Sequence, residues 1–292
     1  MDGIIVIDKP LGRTSHDMVG FVRRLLGIKK VGHTGTLDPD ATGVLPICIG
    51  KATKASDMLT ESDKAYRAQL VLGMITDTLD ASGEILAEQP VAVTKEQIEK
   101  IISEFIGEIE QIPPMFSAIK KDGKKLYELA RAGITVERKS RKVKIYDIKI
   151  EEIDLKQGTV TIYVECSKGT YIRTLCEDIG LRLGCGAYMN TLVRTKSAQF
   201  VIEDSFTVEK LSEMKENGTI NEAIIPVDRV FSAYKSVILN DFLTQKAKNG
   251  VKIRYKSLKE GSFYRVYGAD NTFLCISRYE NGELVLQKAF WN

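Results

Sequence analysis

Histidine is scarce in this 292-residue chain, which has only His16 and His33. No H-x-x-x-H pair and no Cys/His cluster therefore offers a zinc site. Five cysteines, at 48, 166, 176, 185 and 275, form no C-x-x-C pair. Their odd number and irregular spacing point to free thiols in a reducing compartment, the cytoplasm, and not to a disulfide framework. The longest clean apolar run, Val44-Leu45-Pro46-Ile47-Cys48-Ile49, is far short of the ~20 residues a membrane span needs. The start, Met1 to Asp8, is acidic and lacks the basic region of a secretory signal. No G-x-G-x-x-G follows a strand, and Gly50-Lys51 has neither the upstream glycine nor the Ser/Thr of a phosphate loop. No G-x-S-x-G is present, and two histidines do not assemble a convincing Ser/His/Asp set. Nucleotide hydrolysis and serine hydrolysis both lose ground.

What remains is ordinary globular composition, 43% hydrophobic and 28% charged, of a length that suggests about two domains. The net charge of +3 is unevenly spread. Lys120 to Lys144 holds ten Lys/Arg against three acids, and Phe231 to Asn292 holds ten against five. Ala81 to Glu110 reverses the sign, with seven Glu against two Lys. Concentrated basic charge suits a polyanion such as nucleic acid, although either island alone also reads as a solvated face.

Gly3 to Asp8 reads as a buried strand, and Ser15 opens a helix that Gly27 ends. Residues 29–43 read as a loop. A strand is expected over Ala65–Leu72 and a helix over Thr94–Phe105, with Thr94 and Gln97 as a capping box. A short basic helix follows over Lys124–Ala132. Lys142–Ile153 and Thr159–Cys166 read as a hairpin, Tyr171–Leu183 as a helix, Tyr188–Phe200 as β and Thr207–Lys215 as a short helix. After Pro226 come a helix at Leu239–Asn249 and strands at Ser262–Tyr267, Thr272–Ser277 and Glu283–Ala289, spaced as in a small β-barrel. The fold class is α+β with a mixed sheet, and the boundary falls near 226–232.

Two segments could carry chemistry. Gly32-His33-Thr34-Gly35-Thr36-Leu37-Asp38-Pro39-Asp40-Ala41-Thr42-Gly43 is a dense loop beside an apolar strand. Pro39 keeps Asp38 out of helical geometry. Its carboxylate then either projects as a base or nucleophile or simply caps the turn. If buried it needs a cation to stay ionised. Arg173, in Ser167-Lys168-Gly169-Thr170-Tyr171-Ile172-Arg173, is an unusual cation for a helix N-terminus, so it is either that partner or a surface arginine. Tyr66, between Lys64 and Arg67, suits base stacking beside phosphates or plain packing.

These blocks, with Asp8-Lys9-Pro10-Leu11-Gly12-Arg13-Thr14-Ser15 and the Gln111–Lys120 run followed by Gly123, Tyr127, Ala130, Arg131 and Gly133, resemble the TruB family of tRNA pseudouridine-55 synthases. Five blocks match in order, from about Gly3 to Asp228. The resemblance implies a pseudouridine synthase catalytic domain over 1–228, with a basic RNA-gripping insertion at about 120–150. The tail, 231–292, is similar in size and place to a PUA-like RNA-binding domain. The implied reaction isomerises a uridine of the T-loop by base flipping, needs no cofactor or metal, and uses Asp38 as nucleophile. Arg173 would pair with Asp38, Tyr66 would stack on the base, and Tyr171 would line the pocket. Leu192 would close its wall or serve as strand core, and His33 would contact the T-loop. RNA contacts are expected from Lys9, Lys120, Lys121, Arg131 and Arg141. The T-arm would meet the insertion and the acceptor arm the tail, with the protein acting as a monomer and no obligate protein partner or membrane involved. Rival readings are a tRNA-binding chaperone without catalysis and the catalytic subunit of guide-RNA particles, which shares the catalytic blocks.

Overall fold

The computed structural model describes residues 1–291. In chain order the first elements are β1 (Gly3–Lys9), α1 (Ser15–Leu26), β2 (Val31–His33), β3 (Ala41–Ile49), α2 (Ser56–Thr60), β4 (Lys64–Leu72), β5 (Met74–Thr76), β6 (Ile85–Glu88), α3 (Lys95–Ser103) and β7 (Gly107–Gln111). Next come β8 (Lys120–Lys121), β9 (Lys124–Lys125), α4 (Leu126–Arg131), β10 (Arg141–Asp154), β11 (Thr159–Cys166), α5 (Ile172–Leu183), β12 (Ala187–Ser197), β13 (Phe200–Val201), α6 (Val208–Glu216) and α7 (Val227–Val230). The chain finishes with β14 (Lys235–Ile238), α8 (Asp241–Lys248), β15 (Ile253–Arg254), β16 (Phe263–Tyr267), β17 (Phe273–Glu280) and β18 (Glu283–Ala289).

One large sheet runs β1-β3-β12-β4-β11-β10-β7, with β2 added to β3 and β13 to β12. It is mixed because β12 lies parallel to β3 and antiparallel to β4. Side chains of a strand alternate between faces, and here both faces of β1 and β3 are covered. Ile5, Ile7, Leu45, Ile47 and Ile49 pack with α1, α3, α5 and α6 through Val19, Ile98, Ile179 and Leu211. Ile4, Val6, Val44 and Cys48 pack on the opposite side with Phe200, Val230, Phe231, Ile276 and Phe290. That two-sided burial is why these strands read as unbroken apolar runs.

The second sheet has the order β14-β16-β17-β18-β15, and no ladder joins its two end strands among the described residues. The expected barrel is thus a curled open sheet around Val237, Tyr264, Val266, Leu274 and Leu284. Its Ile276 and Phe290 belong to the core shared with β1 and β3, so the boundary expected near 226–232 lies inside continuous packing.

Helix ends follow local chemistry. Thr14 and Asp17 close a capping box on α1, Thr94 and Gln97 do so on α3, and Gly27 and Gly184 end α1 and α5 in left-handed conformation. Three expectations are corrected. The 29–43 loop contains β2, which extends the sheet. The basic insertion ends near 140 and not 150, because β10 pairs with β7 from Arg141 and with β11 from Ile145. Residues 112–140 therefore leave the sheet edge and return to it. Finally, Lys124 and Lys125 form a strand of the small β8–β9 hairpin and not the start of a helix. All five thiols are buried and unpaired. No helix among the described residues is long and apolar enough to cross a membrane.

Candidate active site

Asp38 sits on the connection between β2 and β3, pinned on either side. The Ser15 hydroxyl bonds both the Leu37 amide (2.8 Å) and its carbonyl (3.1 Å). The Pro39 carbonyl accepts from the Gly12 amide (2.9 Å) and from Lys9 Nζ (3.2 Å). Asp38 to Ala41 closes a turn, its Ala41 amide donating to the Asp38 carbonyl at 3.1 Å, with proline at the second position that such turns favour. Leu37 is buried, which leaves Asp38 pointing the other way.

Asp38 Oδ2 meets Arg173 Nη2 at 3.1 Å, with the guanidinium buried and the carboxylate side chain 43% exposed. The other carboxylate oxygen has no partner among the described residues. Arg173 is fixed by three further acceptors: Asp80 Oδ2 (3.2 Å), the Thr78 carbonyl (3.3 Å) and the Phe116 carbonyl (2.8 Å). Asp80 is itself held by the Thr78 hydroxyl (2.7 Å) and by the Ser82 amide (3.1 Å) and hydroxyl (2.6 Å). Two carboxylates therefore explain a cation in the first turn of α5. Burial raises the Asp38 carboxyl above its ordinary range, the Arg173 charge opposes that, and Asp80 and Asp40 add to the rise.

Tyr66 and Leu192 are buried in the core beside Ala41. Their strands are neighbours, with Arg194 opposite Tyr66 and Leu192 opposite Ala68, so both side chains share a face. Tyr171 caps α5, and the Gln111 amide clamps it by accepting from its N–H (3.0 Å) and donating to its carbonyl (3.2 Å). His33 Nδ1 accepts from the Gly35 amide (3.3 Å), leaving Nε2 to carry the proton. Burial, then the Arg194 charge, lower the His33 pKa and favour the neutral ring.

The expected RNA-contacting cations divide. Lys9 is a correction: it is fully buried, and its ammonium bonds the carbonyls of Pro10 (2.9 Å), Arg13 (2.6 Å) and Pro39 (3.2 Å). Lacking exposure, it cannot reach a phosphate. It holds the Asp38 loop, and burial pushes its pKa down to about 8. Arg141 is also not a free cation. Its guanidinium lies 4.5 Å from the Tyr171 ring centroid and bonds the Gly169 carbonyl. Lys120 and Arg131 are exposed and Lys121 partly so, on the β8–β9 hairpin and α4. Asp80, Gln111, Arg194 and Ser15 were not anticipated as parts of the site. Gln111 and Ser15 had a signal, at the head of one matching block and the end of another. A cavity of about 420 Å³ lies elsewhere, on the outer side of α1 between Arg13, His16, Phe21, Arg24 and Val208.

Two family models cover most of the chain. The TruB family pseudouridylate synthase (N terminal domain) matches residues 23–172, and the tRNA pseudouridylate synthase B C-terminal domain matches residues 173–232. The fold is thus that of a pseudouridylate synthase, an isomerase. The tRNA pseudouridine synthase B of Clostridioides difficile is 48% identical over 93% of this chain and 92% of the relative. That of Geobacillus kaustophilus is 46% identical over 89% and 93%. Among solved structures, a chain of a Cbf5-Nop10-Gar1 complex superposes with a TM-score of 0.76 at 28% identity, covering 99% of this chain and 85% of that one. A chain of an H/ACA RNP bound to a substrate RNA containing 2'-deoxyuridine gives 0.74 at 26% identity, with the same coverage. The chain belongs to the TruB family.

Proposed function

We propose that this enzyme converts uridine-55 in the T-loop of tRNA to pseudouridine, with Asp38 as the nucleophile. The observation that carries this reading is the Asp38–Arg173 pair at 3.1 Å, which leaves the second carboxylate oxygen unengaged. The uracil leaves C1′, rotates and is re-attached through C5, while a proton is lost from C5 and one is gained at N1. Atoms and oxidation state are conserved, so the chain's own side chains suffice. Tyr66 stacks on the flipped base, Tyr171 and Leu192 line its pocket, and His33 meets the loop that supplied it. Extrusion costs a few kcal/mol. Stacking on an aromatic ring returns roughly 1–3 kcal/mol, and phosphate contacts contribute a salt-sensitive remainder.

Lys120, Lys121 and Arg131 take phosphates of the T-arm. The PUA-like tail, over about 231–292, takes the acceptor arm. One chain supplies every group of the site, so a monomer suffices. Five unpaired thiols fit a reducing cytoplasm. Tritium release from tRNA carrying 5-tritiated uridine tests the reading, with the product mapped by position. Release that stops when uridine-55 is replaced by cytidine is the expected result. Binding of tRNA without release would favour the chaperone, and release that needs a guide RNA would favour the particle subunit.

A further inference from the structure

Arg194 is the bulkiest fully buried side chain among the described residues. A buried guanidinium is normally matched by a carboxylate, because an unmatched charge is expensive to remove from water. None lies within 4.0 Å of it among the described residues. Its donors go instead to three carbonyls: Val44 (2.7 Å), Gly35 (3.3 Å) and Thr36 (3.5 Å). Arg194 stands opposite Tyr66 on one side and Gly43 on the other, so its side chain shares a face of the sheet with the Tyr66 ring. Gly43, at φ +101°, lets the strands close up, since a Cβ there would fall 2.2 Å from the Arg194 carbonyl oxygen. Gly35 and Thr36 directly precede Leu37 and Asp38 in the loop. One planar group on β12, the strand beside β4, thus ties strand β3 and the Asp38 loop together.

We propose that Arg194 is a positioning residue of the isomerisation: by fastening the Gly35–Thr36 stretch to the strand that flanks Tyr66, it fixes the distance between the stacking ring and the Asp38 carboxylate. This rests on the roles given above to Tyr66 and Asp38. The geometry calls for a fork. A lysine keeps the charge but presents a single ammonium, which cannot reach carbonyls spread along two segments in the same way. Nor does Arg194 act by tuning Asp38, whose own cation is Arg173. The contribution is therefore one of distance, and a misplacement of about 1 Å can cost on the order of a hundredfold in rate.

The test is single-turnover tritium release from tRNA together with tRNA affinity, for the native enzyme, Arg194→Lys and Arg194→Met, each below its melting temperature. Both variants should slow release at least about tenfold with affinity changed less than about twofold. The acidic limb of the pH–rate profile should stay in place for Arg194→Lys, which keeps the charge that acts on His33 and leaves the Asp38–Arg173 pair untouched. Native-like release by Arg194→Lys would overturn the proposal, as would an equal loss of affinity and rate, or an acidic limb displaced in Arg194→Lys. If Arg194→Met does not fold, Arg194→Lys decides; if neither folds, Arg194 is architectural and the proposal falls. Absence of release by the native enzyme would instead defeat the functional reading.

Discussion

Two loops leave the main sheet and return to it, and they are held in opposite ways. The short one, around Asp38, is fastened by Ser15, Lys9, Gly12 and Arg194, so nearly every residue flanking the carboxylate has an assigned partner. The long one, 112–140, folds into a two-residue ladder, a turn at Asp122-Gly123 and the six-residue α4. Leu126 is its buried anchor, and Pro113 and Phe116 tie its base to Arg138 and Arg173. The difference matches the tasks. Bond making needs a carboxylate held within a fraction of an ångström, whereas gripping a polyanion needs cations that are solvated and far-reaching.

Asp38→Asn should break the contrast most sharply. Turnover is expected to fall at least about a thousandfold, while tRNA affinity, measured by filter binding, stays within about threefold. Continued tritium release would remove Asp38 from the chemistry. Arg173→Lys comes next, with a loss of roughly a hundredfold in rate and little change in binding. The pH dependence sharpens this. Burial raises the Asp38 carboxyl and Arg173 opposes the rise, and the active form is the carboxylate. Rate is therefore lost as pH falls through that raised value, and Arg173→Met should move the acidic limb to higher pH. A limb that moves to lower pH would contradict the pairing.

The long loop should answer differently. Lys120→Gln and Lys121→Gln are each expected to leave turnover at saturating tRNA unchanged and to lower the salt slope of binding by about 1. A slower chemical step would show that the segment does more than hold RNA. Lys9→Met is the smallest effect and the cleanest control. It takes a donor from three carbonyls, of which Pro39 keeps the Gly12 amide, so denaturant titration should show about 1–3 kcal/mol less stability, with the salt slope unaltered. A changed slope would return Lys9 to the RNA surface.

Much of the short loop was legible in the sequence because its constraints are local. Pro39 after Asp38, a cation where the α5 dipole disfavours one, and apolar runs bounded by glycine each act within a few residues. Asp80 was not legible. It lies 93 residues from Arg173, in a Thr-Leu-Asp stretch with no period, and only folding brings the two together. Arg194 hid inside a strand for a related reason, since nothing in Leu192-Val193-Arg194 tells a buried guanidinium from a solvated one. The basic island runs on past the loop into the sheet because β10 alternates lysine with Val143 and Ile145. Its outward face carries the charge of the island while its inward face belongs to the sheet. Two-residue strands such as β8, β9 and β15 have no periodicity to read.

The shared core beneath β1 and β3 has a practical outcome for anyone cutting the chain. A protease or an engineer stopping near residue 232 would strip Ile276 and Phe290 from Ile4, Val6, Val44 and Cys48. The shortened enzyme would emerge with a sticky flank directly behind the strand that leads out of the Asp38 loop. Its first ailment would be insolubility, well before any weakened hold on RNA could be measured.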